Sequence, residues 1–61
     1  MPTTITVELS QTEAMALAQF LKRAGFSDYR SKSTSDEEAY EIQAAAVQVK
    51  EALAKAGFEP R

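Results

Sequence analysis

Two helix-termination signals of the same make, Leu21-Lys22-Arg23-Ala24-Gly25-Phe26 and Leu53-Ala54-Lys55-Ala56-Gly57-Phe58, constrain this chain more than any other feature. In each, a glycine can take the left-handed conformation that closes a helix without a Cβ penalty. The phenylalanine that follows can fold back onto the leucine one turn earlier, the apolar contact of a Schellman cap. Basic residues in the last turn meet the negative end of the helix dipole. The start signals match them. Ser10-Gln11-Thr12-Glu13 and Ser35-Asp36-Glu37-Glu38 each place a hydroxyl three residues before a carboxylate, the pattern of a capping box. These punctuation marks predict helices over 11–24 and 36–56, joined by a Ser- and charge-rich linker over 25–35.

Ahead of the first helix, Thr4-Ile5-Thr6-Val7-Glu8-Leu9 alternates polar and apolar residues and is rich in β-branched side chains. That pattern predicts a strand over 3–9 with Ile5, Val7 and Leu9 on its buried face. The expected fold class is α+β in one domain, 1–61: an N-terminal strand followed by two packed antiparallel helices. A lone strand leaves backbone donors and acceptors unpaired, so it needs a partner. The candidates are the segment 27–33, the same strand of a second subunit in a homodimer, or another protein.

The first helix gathers Ala14, Leu17, Phe20, Leu21 and Ala24 on one side. The second carries two apolar stripes. Ile42, Ala45, Ala46, Val49, Leu53 and Ala56 form a broad face suited to the core. Tyr40, Ala44, Val47 and Ala54 form a narrower one on roughly the opposite side. Either the strand takes one stripe and the first helix the other, or Tyr40, Val47 and Ala54 mark a second interface.

Composition enters by exclusion. With neither Cys nor His, the chain has no thiolate or imidazole for a zinc site and lacks the commonest general base. Asp36-Glu37-Glu38 lacks the alternating acids and central glycine of a calcium loop. No cofactor, no metal and no enzymatic activity are expected. No signal peptide and no run of membrane-spanning length is present, so a cytoplasmic location without a membrane partner is expected. The net charge of −2 runs against direct nucleic-acid binding, which needs Lys or Arg for each neutralised phosphate.

The densest charge feature is Asp36, Glu37, Glu38 and Glu41. Acids in a first helical turn are favoured by the dipole, which accounts for the first three. Glu41 lies beyond that turn and four residues from Glu37, a spacing at which like charges repel. These four residues are the candidate partner-binding patch, aimed at a basic surface. A second cluster, Arg23, Asp28, Tyr29, Arg30 and Lys32, puts one aromatic among cations, a weak form of a nucleic-acid platform.

The order strand, helix, helix with Ile5-Thr6-Val7-Glu8-Leu9-Ser10 resembles ribbon–helix–helix DNA-binding proteins. That resemblance implies a dimer whose Thr4, Thr6 and Glu8 face the bases. Glu8 on the reading face and the long linker depart from the pattern. A second resemblance rests on Ala16-Leu17-Ala18-Gln19-Phe20-Leu21-Lys22-Arg23, Gly25-Phe26-Ser27-Asp28-Tyr29-Arg30, Asp36-Glu37-Glu38-Ala39-Tyr40 and Ala56-Gly57-Phe58-Glu59-Pro60-Arg61. These segments resemble short stand-alone bacterial and prophage proteins without assigned function. The setting it implies is a small inhibitor, of which anti-CRISPR proteins are the best-known class. Its partner would be a host protein with a basic surface, such as a CRISPR effector subunit, covered by an acidic helix that imitates nucleic acid.

Overall fold

The computed structural model describes residues 1–60, and over them the chain is helical with no strand. Three helices follow one another: α1 (Gln11–Arg23), α2 (Phe26–Ser31) and α3 (Asp36–Lys55). The expected α+β class is therefore corrected to all-α. Residues 1–9 make no hydrogen bond to any other described residue, so the predicted strand over 3–9 finds no partner in the monomer. A strand is defined by its neighbour, and an alternating pattern alone cannot supply one.

Helix α1 starts as its sequence dictates. The Ser10 hydroxyl accepts from the Glu13 N–H at 3.1 Å, and the Glu13 carboxylate accepts from the Ser10 N–H at 2.9 Å. Helix α3 ends equally to rule. Gly57 sits at φ +98°, Phe58 N–H donates to the Leu53 carbonyl and Gly57 N–H to that of Ala54. Those two bonds are the pair that defines a Schellman motif. Phe58 packs on the core cluster that contains Leu53, completing the apolar contact.

The matching signal at Gly25 behaves differently. Ala24 is already extended, and Gly25, at φ −118°, ψ −179°, is extended backbone that any residue can adopt. Here Phe26-Ser27-Asp28 starts a new helix. The Asp28 carboxylate accepts from the Gly25 N–H at 2.8 Å, and Phe26 stacks on Tyr40 with ring centroids 4.7 Å apart. The expected linker over 25–35 thus contains α2. A six-residue helix is too short to persist alone. Tyr29 packs on the core cluster and Arg30 pairs with Asp36, so α2 is tied down at Phe26 near its start and at Tyr29 and Arg30 near its end.

Helix α3 is the common partner on which both α1 and α2 pack. Its buried row is Ala39, Ala46 and Leu53, spaced by seven residues and thus nearly in line along one side. Ala14, Ala18 and Leu21 are the buried residues of α1. Four of the six are alanines, which let helix backbones approach closely but bury little apolar surface each. The larger residues flank this row and stay open to solvent. Phe20, expected in the core, is 60% exposed, and Ile42, Val47 and Val49 are exposed as well. No helix among the described residues is long and apolar enough to cross a membrane.

Two substitutions separate the glycines. Gly57→Ala should cost about 1–2 kcal/mol, because alanine must adopt positive φ. Gly25→Ala should change stability by less than about 0.5 kcal/mol, since a Cβ there meets only Asp28 Oδ2 at 3.9 Å. Urea midpoints of the two variants check both. Ala39, fully buried under its neighbours, should tolerate no enlargement. Ala39→Leu should lower stability by about 1–3 kcal/mol through overpacking, read by the same titration.

Candidate functional site

The four acids at the start of α3 divide into two kinds. Asp36 accepts from the Arg30 guanidinium, whose Nη1 also donates to the Ser33 carbonyl at 3.2 Å. Glu38 receives the Thr34 N–H at 3.1 Å and the Thr34 hydroxyl at 3.3 Å. The Ser35 hydroxyl accepts from the Glu38 N–H at 3.2 Å. The second capping box is therefore only half formed as expected: its hydroxyl arm holds, while its carboxylate reaches one residue further back, to Thr34. Together with Ser33 Oγ donating to the Tyr29 carbonyl at 2.6 Å, these bonds fix the turn between α2 and α3. Asp36 and Glu38 hold the chain together.

Glu37 and Glu41 are the other kind. Both are exposed, and among the described residues neither makes a hydrogen bond or an ion pair. Their four-residue spacing sets two like charges side by side with no ion pair among the described residues. The steps from Glu37 to Tyr40 and Glu41, from these to Ala44, and from Ala44 to Val47 and Gln48 are each three or four residues, so the six share one continuous outer face of α3. All six are exposed. Two features that the sequence presents separately, the acidic patch and the second stripe, thus merge. Ala54 does not join them. It lies beside Phe58, Lys22 and Glu51 at a small groove of about 290 Å³. There the Lys22 ammonium donates to the Pro60 carbonyl at 3.4 Å.

The Arg23–Lys32 cluster is also rearranged. Arg23, Asp28, Tyr29 and Lys32 border an open groove of about 720 Å³ whose floor includes Phe20, Ile42 and Val49. Arg30 turns away toward Asp36. The groove lies on a different side of α3 from Glu37 and Tyr40: Ile42 and Val49 sit roughly 100° or more from Glu37 around the helix. Sequence reasoning placed Ile42 and Val49 in a core. The signal that they flank it was the seven-residue spacing of Ala39, Ala46 and Leu53, which marks a narrower buried row.

A model of the family described as "Family of unknown function (DUF7706)" matches residues 1–61, and the chain belongs to that family. No curated protein and no solved structure matches it.

The division of the acids has a direct check. Glu38→Ala should lower stability by about 0.5–1 kcal/mol, through loss of its two bonds to Thr34. Glu37→Ala should leave it within about 0.3 kcal/mol, its favourable dipole term offset by relief of the repulsion from Glu41. Thermal or urea unfolding followed by helical circular dichroism distinguishes the two.

Proposed function

We propose that this protein is a non-enzymatic binding protein whose outer α3 face docks on a basic surface of a protein partner. The observation that carries the reading is the pair Glu37 and Glu41, without a hydrogen bond or ion pair among the described residues, beside exposed Tyr40 and Val47. An apolar centre edged by charge is the common make-up of a protein-binding patch: the aromatic supplies area, and the charges steer encounter. In its narrower form the partner is a host protein whose nucleic-acid groove is covered, as an anti-CRISPR covers a CRISPR effector subunit in the host cytoplasm. Duplex DNA carries one charge per about 1.7 Å of axis, so two carboxylates imitate only a short stretch of it.

The experiment is a capture from host lysate by tagged protein, with and without nuclease, comparing the parent with a Glu37→Lys/Glu41→Lys variant. Both positions are exposed, so the fold should survive with a small loss of stability from a cation in the first turn. The parent should retain a protein partner after nuclease treatment. The double variant should bind that partner at least about tenfold more weakly, with a slower on-rate and a weaker salt dependence. A partner held equally by both proteins at every salt concentration overturns the reading. So does material recovered only while nucleic acid is intact, which favours the ribbon–helix–helix alternative.

A further inference from the structure

Helix α3 carries a seven-residue repeat of which the monomer covers only one strip. Ala39, Ala46 and Leu53, seven apart, form the buried row. Beside that row Ile42, Ala45, Val49 and Ala52 recur at steps of three, four and three, the spacing of a coiled-coil contact strip. All four are exposed, and the first three line the open groove together with Phe20, itself 60% exposed. Along the outer margin of this strip stand Glu41, Gln48 and Lys55, again seven apart. Glu41 and Lys55 are exposed, and among the described residues neither makes an ion pair. We infer that the strip is covered by a second copy of itself: two α3 helices pair antiparallel about a two-fold axis between Ala45 and Val49.

Shape and charge both select this occupant. In the antiparallel register Ile42 opposes Ala52 of the second copy, and Ala45 opposes Val49 of the second copy. Each layer sets a β-branched residue against an alanine, which fills the contact while letting the backbones approach. The same register sets Glu41 beside Lys55 of the second copy, twice by symmetry, with Gln48 facing its own copy between them. A parallel pair would set Glu41 level with Glu41 and Lys55 level with Lys55, leaving both charges unmatched. The paired stretch, 41–55, runs about 21 Å, or about four turns. The exposed parts of the strip, its charged margin and Phe20 come to roughly 500 Å² per copy. The pair therefore buries about 1,000 Å², the lower limit for a specific interface and the size of a weak dimer. Tyr40 and Val47 lie on the far side of α3 and stay free, so this pairing does not depend on the function proposed above.

Sedimentation equilibrium over a wide range of concentration tests the pairing, with helical circular dichroism as the check that each variant folds. The parent should move from its 6.7 kDa monomer mass toward twice that value as concentration rises. Val49→Glu, at an exposed position in the strip, should weaken association at least about tenfold, while Val47→Glu leaves it unchanged. The charges give a reading that does not touch the apolar contact, since Glu41 and Lys55 are exposed. Glu41→Lys and Lys55→Glu should each weaken self-association by about three- to tenfold through facing like charges. An equimolar mixture of these two variants should recover it as a 1:1 heterodimer, because every lysine then faces a glutamate. Recovery in the mixture reads self-association alone, so its failure and the failure of the outside partner are distinct results. A parent that stays monomeric at several hundred micromolar overturns the inference and leaves the strip to an unrelated partner. A mixture that associates no better than either variant alone also overturns it, as does dissociation by Val47→Glu but not by Val49→Glu.

Discussion

The narrow row Ala39, Ala46 and Leu53 on α3 governs everything else in this fold. Small side chains at the first two positions let α2 and α1 approach the α3 backbone, and both helices depend on that approach because α3 is their common partner. The same smallness limits what the contact can bury. Apolar stabilisation scales with the area removed from water, and an alanine removes little. The larger residues, Phe20, Ile42, Val47 and Val49, lie off the row, where each leaves a third or more of its surface open to solvent. Close approach at the centre and apolar surface at the margins are two results of one choice of side chains.

Two near-identical hexapeptides end α1 and α3, yet they solve different problems, and the difference lies downstream. After Gly57 the chain reads Phe58-Glu59-Pro60, which cannot continue as a helix, so glycine turns left-handed and Phe58 folds back. After Gly25 it reads Phe26-Ser27-Asp28, and an aspartate three residues on offers a carboxylate to the glycine N–H. What was legible was local: the Ser10 box, the Gly57 stop and the extent of α3 all follow from hydrogen bonds within a few residues. What was not legible depended on distant partners. Helix α2 exists because Tyr40 and Asp36 receive Phe26 and Arg30, and residues 3–9 lack a ladder because no second strand lies among the described residues.

The acidic run was legible as composition but not as roles. Four carboxylates within six residues look equivalent in a sequence. Their separation into two that brace the α2–α3 turn and two that face water comes from where Arg30 and Thr34 lie in space. Residues that brace a turn gain from hydrogen bonds whether or not a partner exists. Glu37 and Glu41, side by side and without a hydrogen bond among the described residues, gain nothing from the turn, and that is why they rather than the whole run define the candidate surface.

The packing of Phe26 on Tyr40 reaches into how the molecule can be observed. The chain has two tyrosines and no tryptophan, and both tyrosines sit at the seam between α2 and α3, one on each helix. Its near-ultraviolet absorption, circular dichroism and intrinsic emission therefore come overwhelmingly from that seam. Loosening of the short helix registers at once in those signals, whereas a change in residues 1–9, which hold no aromatic side chain, passes almost unseen. In optical terms the protein has a built-in reporter for one joint and is blind to its first residues.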